Sequence, residues 1–222
     1  MTQFAGDQKV GASLLTKPER KFIDWMVPKI PNWIRTYHLT LMTVPISILI
    51  VLFGFLSKEN ISWLWLVSLM IFMQWLTDSL DGSLGKHQGE GLIRWGYYMD
   101  HFLDYIFLCS ILIGYSFILP DNLKYLQFFV LVVFGAFMVN AYLAFAANNK
   151  FKISYLGIGP TEVRIIFILI NSMIALFGKT YIAPSLPYIL ILSILGLIVV
   201  TYRTQKDLWM TDKQIQKIEQ TK

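Results

Sequence analysis

Long, nearly uninterrupted apolar runs constrain this chain more than any other feature. A hydrocarbon layer about 30 Å thick is crossed by about 20 residues in helical form, since each residue rises about 1.5 Å. Several runs reach that length. Only 15% of the 222 residues are charged and 55% are hydrophobic, whereas a soluble domain carries roughly a quarter charged residues. The chain therefore reads as an all-α, polytopic integral membrane protein.

Six transmembrane helices are expected, over residues 38–57, 61–84, 92–119, 123–147, 161–178 and 184–202. Short loops at 57–60, 120–122 and 178–184 make their flanking spans antiparallel hairpins. The loops at 85–91 and 148–160 fall on the opposite side. Basic residues set the orientation. Of 19 Lys and Arg, only Lys58, Lys124 and Lys179 lie on one side, and the other sixteen share the side of both termini and the 85–91 loop. Positive residues stay cytoplasmic, so that side is expected to face the cytoplasm.

Residues 1–37 are polar and mixed in charge, with no apolar core or small-residue cleavage site of a signal peptide. Within them, 17–35 mixes Lys and Arg with Phe22, Trp25, Trp33 and several aliphatic residues. That pattern predicts an amphipathic helix lying in the membrane interface. Pro28 and Pro31 are expected to break it into two pieces. A tethered soluble arm is the plainer reading. The expected organisation is an N-terminal arm (1–37), a six-helix transmembrane domain (38–205) and a cytoplasmic tail (206–222). Cys109 is the only cysteine and sits in an apolar run, which excludes an intrachain disulfide.

The chemistry-bearing stretch is Asp78-Ser-Leu-Asp81-Gly82-Ser-Leu-Gly85-Lys86, followed by Gly96-Tyr-Tyr-Met-Asp100-His101-Phe-Leu-Asp104. At about 100° per residue, Asp78 and Asp81 stand about 60° apart on one helix. Asp100 and Asp104 stand about 40° apart on the next. A hairpin through a short cytoplasmic loop lets these faces oppose. Four converging carboxylates form an oxygen-ligand cage for a hard divalent cation, Mg²⁺ or Mn²⁺. Acidic residues at helix ends are ordinarily just solvated, but Asp100 and Asp104 lie a turn or more inside an apolar run. An ionised Asp at mid-membrane costs about 2.5–3.5 kcal/mol, and four close carboxylates without cations repel one another.

Gly82, Gly85 and Gly96 permit close approach of a ligand or of a partner helix. Lys86 fits either a phosphate contact or a topology-setting charge at the membrane boundary.

The stretch resembles the signature of the CDP-alcohol phosphotransferases, D-x2-D-G-x2-A-R, then eight or so residues, then G-x3-D-x3-D. Asp78, Asp81, Gly82, Gly96, Asp100 and Asp104 match it, and Gly85-Lys86 stands where the family has Ala-Arg. Lysine keeps the charge but loses the bidentate fork of arginine. Residues 31–43 also resemble the lead-in to the family's first span, and the similarity is clear over about 31–104.

The resemblance implies two divalent ions bridging a donor pyrophosphate. Asp78, Asp81 and Asp100 would hold metal, with Gly82, Gly85 and Lys86 against the CDP moiety. Asp104 corresponds to the general base that takes the proton of the attacking hydroxyl, and it could also be a metal ligand. It further implies a homodimer, phospholipid biosynthesis as the setting, and a bacterial inner membrane as location with the site facing the cytoplasm.

Two local features resemble the choline and ethanolamine phosphotransferases, which join CDP-choline or CDP-ethanolamine to diacylglycerol. One is Asp100-His101-Phe-Leu-Asp104. The other is Thr161-Glu162-Val163-Arg164 at the start of the fifth span. Glu162 would face a cationic headgroup or an acceptor hydroxyl, and Arg164 a phosphate. The plainer readings are a hydrogen-bonding His101, a helix cap at Thr161-Glu162 and an anchoring Arg164. The alternative donor class is CDP-diacylglycerol with a small polar alcohol of the glycerol phosphate, serine or inositol type. A cation transporter would spread its acidic groups through the membrane depth. Here they cluster at one cytoplasmic hairpin, which argues against transport.

Overall fold

The computed structural model describes residues 8–10, 14–148, 150–152 and 159–220. Strand β1 (Gln8–Val10) is followed by helix α1 (Thr16–Met26) and a 3-10 turn at Val27–Lys29. The α-helical geometry stops two residues before Pro28, whose ring fixes φ and removes an N–H donor.

The expected first span is two helices rather than one, α2 (Thr36–Leu41) and α3 (Thr43–Leu56). The break at Met42 has a local cause. Pro45 has no N–H to offer the Leu41 carbonyl, and the Met42 N–H is shared between the carbonyls of His38 and Leu39 at 3.1 and 3.2 Å. Asn60 then caps a 3-10 turn at Ile61–Trp63 by accepting from the Ser62 N–H at 2.9 Å.

Helix α4 (Leu64–Gln88) runs four residues past its expected end and is closed by Gly89 at φ 65°. This left-handed C-terminal glycine is a common helix stop. The loop expected at 85–91 is correspondingly shorter, and Gly85 and Lys86 sit on the helix rather than in the loop.

Helices α5 (Ile93–Ser116), α6 (Lys124–Asn148) and α7 (Pro160–Phe177) follow the expected spans closely. Between α6 and α7, most of the expected 148–160 loop lies outside the described residues. Its strand β2 (Lys150–Lys152) pairs in parallel with β1, Lys9 opposite Phe151. Helix α8 (Ile182–Gln220) continues well beyond the expected sixth span. Its 39 residues measure about 58 Å, nearly twice a hydrocarbon core of about 30 Å.

Among the described residues, five helical segments are long and apolar enough to cross a membrane: Thr36–Leu56, Ile61–Gln88, Asp121–Asn148, Pro160–Phe177 and Ile182–Gln220. Helix α5 is not among them. It has 24 residues, but Arg94, Asp100 and Asp104 occupy its first half.

Helix α3 lies between α4 and α5 and packs on both, while α4 also meets α2 and α7, and α6 packs on α8. Ile50, Leu64, Ile71 and Ile111 are fully buried where these helices meet. The α3–α5 crossing depends on two glycines. A Cβ on Gly54 would stand 2.6 Å from Gly114 Cα, so a side chain here would force two backbones apart. Buried polar groups tie further helices together: Tyr115 Oη donates to Asn171 Oδ1 at 2.8 Å, and Asn171 Nδ2 donates to Ser68 Oγ at 3.2 Å.

Gly54→Ala is expected to destabilise the protein by about 1–3 kcal/mol, as overpacking does. Gly135→Ala, whose Cβ would meet Tyr105 at an ordinary 3.5 Å, is expected to change little. Thermal unfolding in detergent compares the two; equal midpoints would refute the role of the glycine crossing.

Candidate metal centre

Helices α4 and α5 adjoin in sequence but are not closely packed neighbours, since α2 and α3 contact both. The facing hairpin expected from the sequence is therefore opened into a gap. Side chains from three helices fill it. Asp78 comes from α4, Asp100 and Asp104 from α5, and Arg164 from the start of the second turn of α7.

One carboxylate oxygen from each of Asp78, Asp100 and Asp104 lies within 4.8 Å of the others. Two oxygens bound to one octahedral Mg²⁺ at 2.0–2.1 Å stand about 2.9–4.2 Å apart, so small side-chain adjustments would let the three share an ion. The donor set is all oxygen and partly buried, which suits a hard divalent cation.

Asp81 is placed differently. It is buried, and its Oδ2 accepts from Thr40 Oγ1 at 2.7 Å. Its other carboxylate oxygen accepts from the Gly82 N–H. Thr36 Oγ1 donates to the Asp81 carbonyl at 2.8 Å. Helix α2 thus holds Asp81 in a fixed rotamer beside the three-carboxylate group rather than inside it.

Arg164 is the centre's cation. It is only 6% exposed, and its Nη2 donates to Asp78 Oδ2 at 2.8 Å and to Asp104 Oδ1 at 3.1 Å. Its Nε donates to Gln74 Oε1 at 2.7 Å, and Gln74 Nε2 donates to Asp104 Oδ1 at 3.3 Å. With the amide oxygen toward the guanidinium and the amide nitrogen toward the carboxylate, Gln74 satisfies both partners. Three carboxylates nevertheless surround one guanidinium. The unbalanced negative charge is what a divalent cation would neutralise.

The remaining expected residues divide. Gly82 and Gly96 have open space where a Cβ would point, so a ligand can approach backbone there. A Cβ on Gly85 would instead meet Thr36 Oγ1 at 2.6 Å; this glycine admits helix α2. Lys86 is exposed on the last turn of α4, and among the described residues it takes part in no ion pair given by the geometry.

His101 Nδ1 lies 2.8 Å from the Tyr97 carbonyl and 3.6 Å from Asp100 Oδ2. A carbonyl partner makes Nδ1 the protonated nitrogen and Nε2 the one with the lone pair. Glu162 accepts from the Gly159 N–H at 2.9 Å and from the Leu15 N–H at 3.0 Å. It caps its own helix and tethers the start of α1.

Gln74 and Thr40 belong to the site although sequence reasoning passed over them. The signal for Gln74 was present: a polar residue one turn before Asp78 in an otherwise apolar run. Thr40 carries no comparable signal, because its partner Asp81 is 41 residues away.

Several apolar helices around a partly buried acidic cluster fit an integral membrane protein. The sequence profile of the CDP-alcohol phosphatidyltransferase family matches residues 29–202, well over half of the chain and all of the site. Among curated proteins none matches this sequence. The chain therefore belongs to the CDP-alcohol phosphatidyltransferase family, transferases that move phosphate-containing groups from CDP-linked donors to alcohols.

Proposed function

We propose that this protein transfers a phospho-alcohol from CDP-ethanolamine or CDP-choline to the hydroxyl of diacylglycerol, releasing CMP. The observation that carries the reading is the convergence of Asp78, Asp100 and Asp104 to within 4.8 Å, in the family's motif, around Arg164. Asp78, Asp100 and Asp104 would hold two divalent ions with Asp81, which Thr40 orients. Bound Mg²⁺ or Mn²⁺ would neutralise charge on the phosphoryl oxygens and make CMP a better leaving group.

The chain's own residues do the rest. The open face at Gly82 admits the donor to backbone distance. Asp104 takes the proton as the acceptor oxygen attacks the phosphorus of the phospho-alcohol. The bond from that phosphorus to the CMP oxygen breaks, and CMP leaves with its electron pair. Arg164 and Gln74 hold the Asp104 side chain in place before the proton arrives. Lys86 reaches a donor phosphate from the helix end.

The choice of donor rests on Asp100-His101-Phe-Leu-Asp104, because Glu162 is occupied by two backbone N–H groups. Helix α5 completes a six-span bundle, and α1 lies in the interface with Lys17, Arg20 and Lys21 outward. The distribution of Lys and Arg supports a cytoplasmic site; the bacterial inner membrane and the homodimer rest on the family resemblance alone.

Asp78→Ala and Asp100→Ala are expected to lower Mn²⁺-dependent CMP release below detection with the fold retained. Activity near wild type in well-folded protein would refute the metal roles. A panel of CDP-linked donors with diacylglycerol or small alcohols decides the donor class, and turnover from CDP-diacylglycerol alone would overturn the amino-alcohol reading. Lys86→Ala is expected to raise the KM for the donor while Lys86→Arg leaves it near wild type; an unchanged KM in the alanine variant removes Lys86 from the site.

Arg164→Met leaves the aspartates without their guanidinium. Breaking a buried pair in this way costs about 3–5 kcal/mol. The variant is expected to melt earlier than wild type without divalent ions and to gain more from added Mn²⁺. A Mn²⁺ shift no larger than wild type's would exclude Arg164 as their resident counter-charge.

A further inference from the structure

Helix α1 lies outside the part of the chain that matches the family, yet one of its side chains reaches the edge of the metal centre. Glu19 Oε1 accepts from Trp75 Nε1 at 3.0 Å and from Ser79 Oγ at 2.7 Å, both on α4. Thr161 Oγ1, on α7, lies 3.1 Å from each Glu19 oxygen and donates to that carboxylate. One half-buried carboxylate thus gathers three donors from two helices that both carry site residues.

The positions of these donors are informative. Ser79 adjoins Asp78, Trp75 lies one turn before it, and Thr161 lies one turn before Arg164. One turn of helix is about 5.4 Å. Glu19 therefore fastens α4 to α7 about one turn away from the place where Arg164 meets Asp78 at 2.8 Å. Two further contacts dock α1 in the same place. The Phe22 ring stacks on Trp75 with centroids 5.8 Å apart, and the Leu15 N–H is held by Glu162.

We propose that Glu19 is a positioning residue for the transferase site: its carboxylate clasps α4 to α7 and so sets the reach of Arg164 to Asp78 and Asp104. The N-terminal helix is then part of the active centre's support rather than a membrane anchor only. Arg164 opens the second turn of α7, next to the end turn that frays most readily, and the clasp acts on that end turn through Thr161. This inference rests on the phosphotransferase reading for its kinetic consequences, while the clasp itself is measurable without activity.

The test uses the full chain in nanodiscs, with hydrogen exchange by mass spectrometry and initial rates of Mn²⁺-dependent CMP release. Glu19→Ala is expected to speed amide exchange at the start of α7 by about tenfold, as loss of a local restraint does. It should lower kcat/KM by about tenfold. Glu19→Gln keeps an oxygen for Trp75 and Ser79 and should recover most of the rate. If Glu19→Ala does not fold, Trp75→Phe and Thr161→Val each remove one donor and should give smaller losses of the same kind.

The decisive comparison is Glu19→Ala in an Arg164→Lys background. If Glu19 acts through Arg164, the second change costs less than about twofold, whereas independent effects multiply. Multiplying losses, or unchanged exchange at the start of α7, would overturn the proposal. Absence of CMP release from the wild type would refute the transferase reading instead, and the exchange measurement would still judge the clasp.

Discussion

The guanidinium of Arg164 holds this structure's centre together. It bridges Asp78 on α4 and Asp104 on α5, two helices that do not pack closely on each other, and it does so from a third helix, α7. Charges in a protein interior interact strongly because little water screens them. Their burial is tolerable only when each is paired and hydrogen-bonded. Gln74 completes that requirement by serving the cation and one carboxylate at once. The gap between α4 and α5 is thus lined by hydrogen-bonded polar side chains, and its surplus of negative charge suits a divalent cation.

Around it the apolar contacts do a different job. The Gly54–Gly114 crossing lets α3 approach α5 at backbone distance, and small residues serve this purpose where lipid supplies no hydrophobic drive. Helix α2 then covers the C-terminal half of α4, with Thr36 fitting over Gly85 and Thr40 bound to Asp81. The rigid bundle supplies distances, and short polar side chains from α2 and α1 fix rotamers at its mouth.

Much of the fold was legible in the sequence because bilayer thickness fixes helix length. Five segments have the length and apolarity of spans, at positions the hydropathy pattern gives. The differences arise where a local signal overrode the average. Pro45 divides the first segment at Met42, and Gly89 rather than Gly85 ends α4. Helix α5 has the expected bounds but carries too much charge to qualify by apolarity. The motif spacing marked four aspartates, and the coordinates bring Asp78, Asp100 and Asp104 together while Asp81 turns to Thr40.

What the sequence determined by itself is therefore local and periodic: which stretches are helical and which acids fall on the same helix. Helical repeat and membrane thickness act over a few residues at a time, so a linear reading captures them. Only the tertiary structure decided that Arg164 neutralises Asp78 and Asp104, that Asp81 is turned to Thr40, and that Gly85 serves α2. It also decided that Glu162 tethers the Leu15 N–H at the start of α1. Those outcomes depend on contacts between residues 41 to 147 positions apart, and the packing of several helices together, rather than any one segment's pattern, brings them within hydrogen-bond reach.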